Sequence, residues 1–498
     1  MTKSTNRVAR DNASNRVETC YLSGVSPTRR GSTALALAVS LASVASLALT
    51  GCSDEESGPY AVPVVSPTLY VAHEGSFAAF DVATGARVGT PFDGVSKPYG
   101  MQVLTDGTVL VHLTDDGMLL AANGATGVEE ARVPTSAMGA TRPVDSFLSP
   151  DLGGSEYWIS LNDGTSAGGD SSMSITDVTP GSPTRLQHLG EIASGNGHHQ
   201  GAFSATLPRF VVTSFFDCDA AIQVIDFSDP TSPKELARFS AADLGFDGAT
   251  LETTCDPAES AGIALRPHGC ATSKANGKTY CNLSGPGLIA VIDTDATPPT
   301  VKTIPTSAKG GGYVKSGEGG EYVYTVQNEP REGAGGAACQ VGQLLTIETA
   351  TDTIVHEMPL FYKGPDCTEA LAGTDEETAG QNHIRITSDG ATMFIALAGG
   401  FGVDDARIRQ HEVVDLSDPS APVQLPSIAV GTSSAQRGSA ISGDGQFLYV
   451  ANTLDDSVSQ IDIASLTVSA TIPVSDAPYQ VATFGSVEGP SLHLGPVH

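Results

Sequence analysis

The chain has 498 residues, 40% of them hydrophobic and 16% charged, enough apolar material for a large core. Its 56 Asp/Glu outnumber 26 Lys/Arg for a net charge of −30, a surface that repels phosphate backbones and so excludes nucleic acid as a partner. Fifty-five Gly and 30 Pro beside a single Trp point to many short strands joined by turns rather than to a helical protein.

Residues 1–51 stand apart from any fold. Arg29-Arg30 precede the apolar run STALALAVSLASVASLALT, which leads into Leu49-Thr50-Gly51-Cys52. A basic flank, an apolar stretch and small residues before a cleavage point make a secretory signal. The Leu-Thr-Gly-Cys ending resembles a bacterial lipobox, which implies lipidation of Cys52. The expected location is therefore a membrane-anchored lipoprotein, periplasmic or at the cell surface, touching the membrane only through its lipid. Residues 52–66 read as a flexible tether. Without residues 1–51 the chain keeps 20 basic and 54 acidic residues, a net charge of −34 that attracts cations and also favours solubility.

From residue 67 onward, alternating apolar and polar residues broken by Gly, Asp and Asn turns recur every 40–50 residues or so. The first copy is PTLYVAHEGSFAAFDVATGARVG, followed by KPYGMQVLTDGTVLVHLTDDG and then RPVDSFLSP with EYWISLND. HHQGAFSATLPRFVVTSFF with AAIQVIDFSD is the fourth and PHGCATSKANGKTYCNLSGPGLIAVIDTD the fifth. GGYVKSGEGGEYVYTVQ, NHIRITSDGATMFIALAGG and a final copy starting at Arg437 complete the series. That last copy shows four strands in full: RGSAIS, FLYVANT, SVSQIDI and VSATIPV. It resembles the YVTN-type β-propeller repeat in LYVANT, SVSQID and ATIPV.

The first copy begins at its second strand, and APYQVATFG (477–485) is expected to supply its missing innermost strand. The predicted fold is all-β: an eight-bladed propeller of four-stranded antiparallel blades over 67–485, seven-bladed if one weak copy is an insertion, with a tail at 486–498. Innermost strands are expected near Pro98, Pro143, His199, His268, Tyr313, His383, Arg437 and Tyr479. Such a ring leaves only short, protected sheet edges, so a monomer is expected.

In a propeller the first strand of each blade lines the central channel. His198 and His199, His268 and His383 fall at or just before that strand in copies four, five and seven, at one equivalent position. Imidazole is the commonest zinc and copper ligand, and three converging nitrogens make a metal site. Gly197, Gly201 and Gly269 beside them would let the backbone approach the axis closely. Hydrogen-bonding or solvated histidines fit the same positions, and the residues alone leave both readings open. His73, His112 and His188 read as blade residues, and His356, His411, His493 and His498 as exposed.

The run GHHQGA, then LRPHGCATS with GKTYCNLSGPGLIAVID, then NHIRITSDG resembles the periplasmic zinc metallochaperones of the propeller class. The resemblance implies zinc, or another divalent metal, held by His199, His268 and His383 with His198 as an alternate. It also implies as partner the solute-binding protein of a zinc ABC transporter. That family carries a Cys before a His-Gly pair and another in the next strand, here Cys255, His268-Gly269 and Cys281. The chain departs from it in the added Cys270 and in lacking a His-rich arm after Cys52, so binding is better supported than delivery.

The six cysteines beyond Cys52 make an even set in an exported protein, which reads as disulfides. Cys255–Cys281 and Cys339–Cys367 are the favoured pairs, leaving Cys218 and Cys270. Residues 326–340 and 361–381 read as Gly- and acid-rich insertions, and the Asp-rich stretch 162–170 as a solvated turn. Nucleophile-elbow, phosphate-loop, HExxH and haem-attachment motifs are absent. The chain therefore reads as a non-enzyme, with a metal-dependent hydrolase or lactonase ranked last. The alternative to metal binding is a cell-surface scaffold for protein or polysaccharide.

Overall fold

Stretches rich in Val, Ile, Leu, Thr and Tyr, separated by Gly- and Asp-bearing turns, form eight four-stranded antiparallel sheets in the computed structural model. It describes residues 68–483 apart from 74, 94, 96–97, 141, 164–170, 215–216, 246–264, 266, 308–311, 333–337, 361–378, 400–409, 432–435, 475–476 and 479. The signal segment, Cys52, the tether and the C-terminal tail lie outside the described residues.

Seven blades are built from consecutive strands. Blade one combines Thr68–His73, Ser76–Asp81 and Arg87–Asp93 with Gln480–Thr483 from the far end of the chain. Leu69 pairs with Thr483 and Val71 with Val481, as the sequence led one to expect. The innermost strands are Pro98–Val103, Arg142–Leu148, His198–Phe203, Pro267–Thr272, Val314–Ser316, Ala379–Ile386, Gln436–Ile441 and Gln480–Thr483. Each neighbours the next around a closed circuit, so the fold is an eight-bladed β-propeller.

The core lies between blades. Thr68–His73 and Thr108–Leu113, second strands of blades one and two, are buried at every residue, because sheets press on both of their faces. The outer strand Val128–Pro134 is mostly exposed. Val211, Ile222 and Val224 of blade four pack with Cys281, Ala290 and Ile292 of blade five. Tyr324, Val326 and Leu344 of blade six meet Met393, Ile395 and Val414 of blade seven in the same way.

Much of the acidity is structural. Asp81, Asp226, Asp415 and Asp462 each end a third strand and accept the backbone N–H of a turn residue two or three positions on. These hydrogen bonds hold the carboxyls of Asp415 and Asp462 below their ordinary range.

Two expectations need correction. Residues 326–340 are not simply an insertion, since Tyr322–Glu332 and Ala338–Glu348 are long paired strands that prolong blade six. Their Gly and Glu neighbours hid a strand pattern that alternates weakly. His411 is fully buried in the third strand of blade seven, where a position between two sheets outweighs its polarity, and His356 is half-buried.

Between blades two and three, His112 is buried; its Nε2 accepts the Trp158 indole N–H at 3.0 Å and lies 2.7 Å from Ser160 Oγ. Burial lowers its pKa from 6.5 to about 3, so the folded protein holds it neutral. The unfolded chain takes up this proton near pH 6.5, and stability is lost from there downward. Between pH 7.5 and pH 5, His112 is expected to cost about 2 kcal/mol. Urea unfolding of His112→Leu should be less pH-dependent than wild type by that amount; equal slopes would refute the assignment.

A chain ending at residue 474 lacks the strand that completes blade one. The edge left open on Thr68–His73 should produce oligomers on gel filtration and a lower thermal midpoint. A monomer of unchanged midpoint would show that closure is dispensable.

Candidate metal centre at the inner strands

The amide closing the first turn of blades two to eight gives a common origin for comparing inner strands. These amides are Leu104, Ser149, Ser204, Ser273, Gly317, Thr387 and Ser442, each bonded to the carbonyl that opens the second strand or lies just before it. Counting five residues back reaches Tyr99, Val144, His199, His268, Gly312, Asn382 and Arg437. Counting four back reaches Gly100, Asp145, Gln200, Gly269, Tyr313, His383 and Gly438.

These two rungs coincide with a repeated irregularity of the ladder. In blades two, four, five, seven and eight, pairing skips between Pro98 and Met101, His198 and Gly201, Pro267 and Cys270, Gln381 and Ile384, and Gln436 and Ser439. The skipped residues leave the strand alternation, as bulge residues do near functional sites. His199 and His268 are therefore equivalent, on the inner strands of adjacent blades. His383 is not: it sits one residue further on, level with Gly269, on a blade separated from blade five by blade six. By register, then, two of the three histidines expected at one position are equivalent and the third is offset by one residue. His198 precedes the skip and pairs with Ser214. The side chains of all four histidines lie outside the described part of the structure.

The nearby glycines serve strand packing. A Cβ on Gly269 would stand 2.5 Å from the Val314 nitrogen and 2.6 Å from Tyr313 Cα, the backbone of the next inner strand. One on Gly201 would enter the Phe210 ring. These contacts give Gly269 and Gly201 a packing role between strands. Gly197 has φ +75° and donates its N–H to Asp163 Oδ1 at 3.1 Å, which fixes the turn delivering His198.

Sequence reading missed Asp145. It stands on the inner strand of blade three, beside that of blade four, and is the one acid among the four-back residues. Its side chain is 3% exposed; Oδ1 takes the Ser146 amide at 3.1 Å, and Oδ2 has no partner. Burial, with the like charge of Asp163, pushes its carboxyl well above the ordinary range. Gln200, level with it on the next strand, is 2% exposed and leaves Nε2 unpartnered. Aligning RPVDSFLS under GHHQGAFS from the turn backward is the signal that would have found Asp145. Among the described residues alone, no three His, Cys, Asp or Glu form a metal-sized group.

Cys270 and Cys281 face each other across the first two strands of blade five and form a disulfide, Cα–Cα 4.1 Å. This overturns the Cys255–Cys281 pairing: partners on adjacent strands at one rung need no loop movement. Cys218 is also disulfide-bonded. Cys255 and Cys367 lie outside the described residues, as does the Cys339 side chain.

No family model and no curated protein matches this chain. Among solved structures it is similar to the periplasmic gluconolactonase PpgL of Pseudomonas aeruginosa, at 13% identity and TM-score 0.52, over 84% of this chain and 98% of that one. Apo AztD of Citrobacter koseri matches at 11% identity and TM-score 0.37, over 85% of this chain and 100% of that one. A putative 6-phosphogluconolactonase of Bacteroides uniformis matches at 13% and 0.45, over 74% and 97%. At these identities the likeness is one of fold. It corrects the reading of the chain as a non-enzyme: an enzyme, the gluconolactonase, shares this propeller over most of both chains, and the fold hosts catalysis as readily as binding.

Proposed function

We propose that the protein is an exported lipoprotein, anchored through Cys52, whose propeller holds a divalent cation, zinc first, where the inner strands begin. His199 and His268 are the first ligands, and His383 and His198 further members. The observation that carries this reading is the shared rung of His199 and His268 on adjacent inner strands, both at the residue where the ladder skips. The available donors fit the ion: imidazole nitrogens together with a buried carboxylate oxygen that has no partner suit zinc, and leave room for a further ligand. In the finer form of the proposal, the protein passes this metal to the solute-binding protein of an ABC transporter, which would take it through the open coordination position.

The test is zinc content and affinity of the soluble form beginning at Ser53, against the variant His199→Ala, His268→Ala, His383→Ala. The expected result is one equivalent of zinc, with affinity lowered at least 100-fold in the variant while the circular dichroism of the sheets is unchanged. Equal binding by both proteins, or no zinc in the parent, refutes the proposal and favours a surface scaffold.

A further inference from the structure

Most described aspartates at turns have an evident partner: Asp81, Asp226, Asp229, Asp415, Asp418 and Asp462 accept turn hydrogen bonds, and Asp352 receives Lys278 and Lys302 at 2.5 and 2.7 Å. Asp145 does not follow this pattern. It is more deeply buried than Asp352, yet its only described hydrogen bond is to the adjacent amide, and the like charge of Asp163 repels it.

We propose that Asp145 is a direct ligand of the cation, its Oδ2 adding a carboxylate oxygen to the imidazoles of His199 and His268. This rests on the reading of the inner-strand site as a metal site.

Three observations carry it. The first is position: Asp145 lies on the inner strand next to that of His199, one residue further along the common count. The second is the orphan oxygen. A buried carboxylate oxygen without a donor is costly, and a water, a proton or an ion is what satisfies one. The third is that the neighbours do not satisfy it. Gln200, at the same level, has an amide nitrogen without a partner, so the two side chains are not bonded to each other. Asp163 is engaged by the Gly197 amide and brings charge of the wrong sign. A divalent cation would supply Oδ2 with a partner and offset both carboxylates at once. A buried water or a proton on the carboxyl would also satisfy the oxygen, whereas only a bound cation makes removal of the carboxylate lower zinc affinity.

The experiment compares three forms beginning at Ser53: the parent, Asp145→Asn and Asp145→Cys. Asn keeps the shape and removes the charge, so zinc affinity should fall about 10–100-fold. The thermal midpoint of metal-free Asp145→Asn should not fall below that of the metal-free parent, because the Asn oxygen can keep the Ser146 hydrogen bond and Oδ2 has no partner to lose. Loaded with cobalt(II), Asp145→Cys should show an intense near-ultraviolet thiolate-to-metal band absent from the parent. Parent-like zinc affinity in Asp145→Asn, with affinity still lost in the triple histidine variant, overturns this inference and leaves the site reading intact. A midpoint lowered by several degrees in metal-free Asp145→Asn, or no charge-transfer band in Asp145→Cys, assigns Asp145 a structural role and also overturns it. A parent that binds no zinc overturns both.

Discussion

Every blade packs against its neighbours, and the ring is closed by the pairing of the last described strand with the first. Leu69 and Val71 meet Thr483 and Val481 across that junction. Without it, blade one would present an unpaired inner edge, and the apolar faces between blades eight, one and two would lose their continuity. Tyr70, Met101 and Ala482 share one cluster, while Val71, Tyr449 and Val481 share another, so the closing strand contributes to the seams on both of its sides. Closure is thus a packing constraint as well as a backbone one.

The same constraint explains why polar groups inside this protein are so particular. A residue on a middle strand faces a sheet on either side, so any polar atom there needs a partner across a seam. Trp158, His112 and Ser160 supply partners for one another between blades two and three. Tyr280, Lys278 and Asp352 do the same between blades five and six. Several buried polar atoms lack such a partner, and among them the Oδ2 of Asp145 lies on the strand that borders the paired histidines.

The repeated skip in the inner ladder is the device by which a uniform blade delivers different chemistry at its first strand. In five blades two residues stand outside the pairing there, so their identities are released from the demands of the sheet. Blades two, five and eight use that freedom to place glycine, and blades four, five and seven to place histidine. The acidic composition has a different origin, since many aspartates close turns at the ends of third strands. Those carboxylates belong to the scaffold, and the net charge by itself says little about the site.

Sequence by itself determined the fold class, the eight copies, the four-strand content of each and the union of the two ends in blade one. Those features rest on alternation and turn residues, which are local and repeat eight times. The places of His198, His199 and His268 at the start of inner strands were legible for the same reason, whereas His383 lies inside its strand, Ala379–Ile386. Tertiary structure decided what depends on register and on neighbours. The skip separates His383 from His199 and His268 by one residue, a shift invisible until strands are paired. Cys270 and Cys281 proved to be opposite one another, where the family resemblance had favoured Cys255 as the partner of Cys281. Asp145 looked like any polar residue in RPVDSFLS; burial between blades and the absence of a partner, neither of which is a property of the local sequence, set it apart.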